Sequence, residues 1–404
     1  MLHRYGAPAH RIESTLEEVA GSLRAEGTFL VTPTSLIFEF GDAPVRLVRT
    51  SQGAVDLGGL AAVYAIAGRV VQGELSAVAG RAELVLISTS PRRYNAATMV
   101  VATMAASAAA ACFLASTWLE VGVAAIAAIG VGILSELARH SRELERALPM
   151  VAAAAVTVSA SLVAAAEPIS VYTVTVCALI MFVPGLMLTT AMAEISTGHL
   201  VAGTSRLTSA AALLLALGVG VALGTTVATG LLGTPQSVPL ERELGQGATV
   251  IGLLLGAASF QVLLSADRRD LGWVLASGMV AGIGLALPLP QYAAVFVGAF
   301  AIGLYGRLYV RIADRPAPVV IVPGILVLVP GSIGFQSVAL MMSDDVLSGT
   351  AGVFQMLIIG MAIALGLVMS GALDAGNRPG TRGKACEGVT IQVAPTSPFG
   401  AATL

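Results

Sequence analysis

The chain has 404 residues, of which 56% are hydrophobic and only 11% charged, and its formal net charge is −2. Soluble domains carry about 25% charged residues, so a deficit of this size excludes an ordinary water-soluble fold. The near-neutral balance leaves no basic footprint for nucleic acid, and the scattered Cys112, Cys177 and Cys386 fit neither a disulfide framework nor a zinc site.

The first 95 or so residues read as a small α/β segment. Ile12, Leu16, Val19 and Leu23 recur at helical spacing across residues 9–26. Short strands follow, interrupted at Thr32-Pro33-Thr34 and at Gly41-Asp42-Ala43-Pro44. Asp56 is placed to cap a helix that opens DLGGLAAVYAIAG, and a further helix is expected from about Ser76 to Ile87. Pro91-Arg92-Arg93-Tyr94 then forms a basic collar. The first strongly apolar run begins near Thr98, too far into the chain to be a signal peptide.

From Thr98 onward apolar runs recur at membrane length, about 20 residues each. The expected spans are 98–117, 120–137, 148–166, 169–190, 207–231, 248–266, 271–287, 291–306, 319–341 and 351–373. They predict an all-α membrane protein of about ten transmembrane helices, divided as a segment at 1–95, repeats at 96–232 and 248–373, and a disordered tail at 374–404. With a cytoplasmic N-terminal segment, the inner loops and tail hold twelve basic residues (Arg139, Arg142, Arg146, Arg206, Arg268, Arg269, Arg307, Arg311, Arg315, Arg378, Arg382 and Lys384) and the outer loops only Arg242. That asymmetry places both termini in the cytoplasm of a multi-pass protein of the cell membrane.

Two segments resemble each other, PGLMLTTAMAEISTGHLVAGT from Pro184 and PGSIGFQSVALMMSDDVLSGT from Pro330. In both, 19 positions separate Pro-Gly from Gly-Thr, Pro184 from Gly203 and Pro330 from Gly349. Five spans per half is odd, so the halves are expected to be inverted repeats, an arrangement secondary transporters use to alternate access to a midplane site. Proline removes a backbone donor and glycine tolerates the bend, so matched breaks mark a candidate transport site. A second break is expected at Pro323-Gly324.

Charged groups in spans are functional candidates because they are costly there. The candidate solute contacts are Pro184, Gly185, Thr189, Thr190, Glu194, Pro330, Gly331 and Gln336; Glu194 and His199 are the candidates for proton coupling. Asp344, Asp345 and Glu167 read as solvated loop acids, and Glu136 as a surface partner of Arg139. The sequence holds no P-loop, GxGxxG fingerprint, HExxH or nucleophile elbow, so neither an enzyme nor a cofactor or metal is expected.

The motifs AHRIESTLEEVAGSL, VTPTSLIF, VRLVRT, DLGGLAAVYAIAGRVVQGELSA and RRYN resemble the soluble region of the threonine/serine exporter family. FVPGLMLTTAMAEISTGHLVAGTSRL resembles that family's central membrane motif, and IVPGILVLVPGSIGFQSV its second membrane domain. The resemblance covers nearly the whole chain apart from the tail. It implies proton-driven export of threonine and serine; split members of the family are associated with dicarboxylate export. The family usually carries Asp where this chain has Glu194. The expected partners are a small solute and the lipid bilayer, and a homo-oligomer is left open. A scaffold or sensor without transport is the reading from a different class. Nothing in the residues of the soluble segment chooses among gating the cytoplasmic mouth, binding a regulator and dimerising.

Overall fold

The computed structural model describes residues 1–375 apart from 42, 51, 52, 54, 234–243, 330, 343 and 344. The expectations for Pro330, Asp344, Arg242 and the tail lie outside the described residues. In the N-terminal part, α1 (Ala9–Ser22) precedes an antiparallel sheet of β1 (Gly27–Val31), β2 (Ser35–Phe40) and β3 (Arg46–Arg49), and α2 (Leu57–Val71) and α3 (Ala77–Thr89) follow. The strands pair Phe29 with Phe38 and Ile37 with Leu47. The expected cap is present, with Asp56 Oδ1 accepting from Gly59 N at 2.8 Å.

The remaining chain is helical: α4 (Ala96–Leu114), α5 (Trp118–Ala138), α6 (Arg142–Ala164), α7 (Val171–Ala178), α8 (Gly185–Ser196), α9 (Leu200–Leu232), α10 (Gln246–Leu263), α11 (Leu271–Leu285), α12 (Gln291–Ala313), α13 (Pro318–Leu328), α14 (Gly331–Met342) and α15 (Val346–Ala375). Polar caps set many of their starts. Asn95, Thr117, Ser141 and Ser170 each accept a backbone N–H from the first turn that would otherwise lack a partner.

Among the described residues, eight stretches, with Pro318–Met341 counted as one, are long and apolar enough to cross a bilayer. Val171–Ala178 and Ile180–Ser196, bent by 57°, make a ninth if taken as one broken span. The other expected run, 271–287, forms α11, whose 15 residues fall short of the about 20 that a 30 Å hydrocarbon core requires. The break expected at Pro323 is not formed, because Pro323 lies buried within α13. As the sixth of the eleven residues of α13 it removes one hydrogen bond of the helix, and α11 packs on the same turn, where a Cβ on Gly324 would lie 3.2 Å from Ser277 Oγ.

Helices α4 to α9 correspond in order to α10 to α15. Gly185 and Gly331, Leu200 and Val346, and Gly203 and Gly349 are each 146 positions apart, and α8 and α14 both have 12 residues. The packing corresponds as well. Helix α6 lies on α9 as α12 lies on α15, and α8 on α9 as α14 on α15. Between the halves, α4 meets α10, and α8 meets α15 as α9 meets α14. The close approaches recur residue by residue. A Cβ on Gly220 of α9 would meet Met150 O and would lie 2.7 Å from Ala153 Cβ of α6; one on Gly366 of α15 would lie 2.6 Å from Phe296 O and 3.0 Å from Ala299 Cβ of α12. In lipid, where helices associate by packing rather than by excluding water, such small-residue contacts hold the bundle together.

The N-terminal part packs on both halves at one end of the bundle. Leu2, Ala7, Ala9, Ile12, Leu57 and Leu60 share a buried cluster with Ala202 of α9 and Ala266, flanked by Val322 of α13. Leu57 N donates to Leu264 O at 2.8 Å, and Tyr94 Oη to Ala266 O at 2.9 Å.

Gly220→Ala and Gly366→Ala are each expected to destabilise the protein by about 1–3 kcal/mol through overpacking. Gly122→Ala, with nothing within 4 Å of the new methyl group, is expected to be neutral or slightly stabilising. Thermal unfolding of the purified protein in detergent checks this, and unchanged melting of both buried variants would contradict it.

Candidate functional site

The two Pro-Gly segments touch. A Cβ built on Gly185 would strike Val329, and one on Gly331 would lie 2.5 Å from Val183 Cγ1 and 3.6 Å from Gly185 Cα. Val183 precedes Pro184 as Val329 precedes Pro330, so each half sets its valine against the other half's glycine. Only glycine permits this approach. Pro184 and Gly185 are buried, and Gly185 opens α8 as Gly331 opens α14. Two helix N-termini therefore converge on one place, and at the first of them Gly185 N already donates to Val183 O at 2.8 Å.

The remaining candidates on α8 and α14 are spread around these starts. Thr189 is buried, and its hydroxyl donates back to Leu186 O at 3.0 Å. Thr190 is half-buried. Gln336, expected to lie deep, is exposed; Gly331, Gly334 and Phe335 form the buried side of α14 and Gln336 turns away from it.

At the far end of α8 the chain reverses through Gly198, in the left-handed region at φ +85°. His199 N donates to Glu194 O at 2.8 Å and Gly198 N to Ile195 O at 3.1 Å, so this is a glycine-capped helix end. The reversal lays the last turn of α8 against the start of α9 and brings Glu194 to Arg206. Glu194 is fully buried (0% exposed) and Arg206 is 5% exposed. Arg206 Nε donates to Glu194 Oε2 at 2.7 Å, and the other oxygen accepts from Ala9 N, the first amide of α1, at 3.0 Å. The carboxylate thus faces a guanidinium and the positive end of a helix. Neither of its oxygens is left without a partner.

His199 donates from Nε2 to Glu13 Oε2 at 3.0 Å, and Glu13 Oε1 accepts from Val31 N at 2.8 Å. The His10 ring stands 5.8 Å from that of His199. Burial, with Arg11, His199 and Arg206 nearby, lowers the His10 pKa to about 4. His3 is lowered as well, chiefly by burial, and donates to Thr32 O at 3.1 Å. Helix α1 and the sheet are therefore tied to the α8–α9 turn through side chains from both sides.

The described residues of the corresponding segment in the second half repeat two of these backbone hydrogen bonds and lack the glutamate–arginine pair. Asp345 N donates to Leu340 O at 3.1 Å as His199 N does to Glu194 O, and Gly349 N to Asp345 O at 3.1 Å as Gly203 N does to His199 O at 3.0 Å. Leu340 and Gly352 stand where the first half has Glu194 and Arg206. Asp345 is exposed, as expected of a loop acid, and Glu136 pairs with Arg139 at 2.9 Å.

Sequence reasoning placed Arg206 in a loop; it is a helical residue of α9 and buried. Ala9, Glu13 and His10 were missed as partners of the turn because they lie more than 180 positions away and leave no local spacing signal. The available signal was an acid and an arginine flanking Gly198-His199 in otherwise apolar surroundings, the pattern of a helical hairpin closed by an ion pair.

Comparison with known proteins gives a consistent result. The threonine/serine exporter family (ThrE) matches residues 1–228, and its second part, also described as threonine/serine exporter, matches residues 249–373. Pheromone-regulated membrane protein 10 of Saccharomyces cerevisiae is 29% identical over 355 residues, covering 83% of this chain and 46% of the yeast protein. The protein of the same name from Eremothecium gossypii is 27% identical over 357 residues, covering 83% and 47%. An uncharacterized protein of Schizosaccharomyces pombe, C7D4.12c, is 24% identical over 353 residues, covering 82% and 46%. The chain thus spans less than half the length of these relatives. No solved structure matches it.

Arg206→Met is expected to cost about 3–5 kcal/mol, because it leaves the Glu194 carboxylate buried without its counter-charge. Glu194→Leu combined with Arg206→Met, which leaves the site as free of charge as Leu340 and Gly352 leave it in the second half, is expected to recover most of that loss in thermal unfolding. A double variant as unstable as the sum of the single ones would contradict the pairing. A second expectation concerns pH. A histidine whose pKa falls from 6.5 in the unfolded chain to about 4 when folded stabilises the fold fully above pH 6.5, and that contribution is lost as pH falls toward 4. The decline in melting temperature between pH 7 and 4.5 should therefore be shallower in His10→Gln, and an identical slope would refute the assignment.

Proposed function

The chain belongs to the threonine/serine exporter family, and from that premise we propose that it is a secondary transporter carrying threonine, serine or a similarly small zwitterion out of the cell. The observation that carries this reading is the reciprocal contact of the two Pro-Gly segments. A transporter built from two related halves needs a place between them where backbone polar groups are freed to meet solute. In this reading the solute carboxylate takes first-turn amides of α8 and α14, beside Pro184-Gly185 and Pro330-Gly331. Its ammonium and side chain take oxygens from Thr189 and Thr190, and Gln336, which turns away from this place, takes no part. The halves, 96–232 and 248–373, run with opposite orientation through the plasma membrane, and the segment 1–95 and the tail face the cytoplasm.

Glu194 carries the proton coupling. Held by Arg206 and Ala9, its carboxylate is closed to solute; protonation removes the charge that binds both, and His199 with Glu13 provides the adjoining proton path. Exchange of an entering proton for a leaving solute then opens and recloses the α1 end. A dicarboxylate such as succinate is the alternative substrate, since two convergent helix N-termini favour carboxylates of any kind. Arg206 does not favour it, being committed to Glu194 at 2.7 Å.

Proteoliposomes loaded with threonine, serine or succinate decide between them. Threonine and serine efflux should accelerate when a proton gradient is imposed against the direction of export. Glu194→Asp should keep that response and Glu194→Gln lose it. Threonine efflux indifferent to the gradient would sink the coupling, and succinate efflux without threonine efflux would replace the substrate.

A further inference from the structure

Where the N-terminal part meets the ends of α4, α5 and α10, the structure has a cavity of about 330 Å³. Arg4, Arg92 and Arg139 line it, with Tyr5, Tyr94 and Ser265 and with Met99 and Leu263. We propose that this cavity binds the phosphate of an anionic phospholipid from the leaflet at the arginine-rich end of the bundle.

The charge balance favours an anion. Arg92 and Arg139 share one acid, Glu136, with Nη1 contacts at 3.1 and 2.9 Å. Asp56 also lines the cavity, and one of its oxygens is spent on Gly59 N. Arg4 is exposed and makes no ion pair among the described residues. Three guanidinium groups thus face two carboxylates, and each planar guanidinium carries five N–H donors of the kind that phosphate oxygens accept.

The position favours a lipid. Met99 lies in the first turn of α4, Leu263 is the last residue of α10, and Arg139 caps α5, so the floor of the cavity is formed by helix ends at the edge of the apolar zone. Arginines line it together with the apolar Met99 and Leu263, the arrangement by which basic pockets between helices hold lipid headgroups. A lipid seated there would touch the N-terminal part through Arg4 and Tyr5 and both halves of the bundle, and would strengthen their docking.

The test uses the full chain in neutral micelles, titrated with phosphatidylglycerol or phosphatidylcholine and followed by native mass spectrometry. Phosphatidylglycerol should bind saturably and phosphatidylcholine should not. Arg4→Gln should weaken binding about fivefold, and adding Arg139→Gln should weaken it further. Arg46→Gln with Arg49→Gln, on the exposed strand β3, removes the same charge elsewhere and should change nothing. Melting curves confirm that each variant is folded, and Arg4→Gln, at an exposed side chain, keeps the test informative if Arg139→Gln is unstable. Inorganic phosphate at millimolar concentration separates the sources. Failure to displace the lipid assigns the site to the headgroup in its membrane, and arginine-dependent displacement assigns it to the phosphate group itself. Equal binding of both lipids, or phosphatidylglycerol binding unaffected by the arginine variants, would overturn the proposal. None of these readouts depends on solute flux.

Discussion

A backbone inside a bilayer has no water to satisfy it, so a helix can be interrupted there only where protein covers the interruption. This constraint organises the molecule. Its two Pro-Gly segments cover each other, Gly185 against Val329 and Gly331 against Val183, and each valine leaves no room for a side chain on the glycine it faces. The helices on either side correspond in order and neighbours, down to the glycine contacts at Gly220 and Gly366. What would be a weak point in one helix becomes the central contact between two halves.

The halves match in backbone and differ in charge. Only the first carries the buried Glu194–Arg206 pair, and only that turn is closed by the N-terminal part through the Ala9 amide and the Glu13–His199 contact. A buried ion pair is weak evidence for stability, since apolar residues of similar volume often do as well. Leu340 and Gly352 show that the same turn folds without one. The pair is therefore better explained by where it stands, at the place where the N-terminal part meets the bundle, than by the stability it adds.

Much of this was legible in the sequence because it is written in local chemistry. Asp56 caps the helix it was expected to cap, and the strand interruptions fall where Pro33 and Gly41 put them. The equal spacing of Pro-Gly and Gly-Thr marked the corresponding turns, because proline and glycine act on their own backbone. Three features were not legible. Pro323 reads as a break but is absorbed in the middle of α13, beside the packing of α11 at Gly324. Gln336 reads as deep because its neighbours in sequence are apolar, yet the side of α14 it occupies is fixed by which residues meet α15. The partners of Glu194 come from the far end of the chain, and apolar periodicity carries no information about contacts at that distance.

The central claim is that the two Pro-Gly segments meet across a path that must open for solute to pass. A Cβ on Gly331 would lie 3.6 Å from Val183 Cβ, within the range that a disulfide spans. In a background without Cys112, Cys177 and Cys386, the double variant Val183→Cys and Gly331→Cys should transport threonine when reduced, lose flux on oxidation and regain it with reductant, while each single variant ignores the oxidant. Undiminished flux with the bridge formed would show that the segments need not part, and would contradict the account.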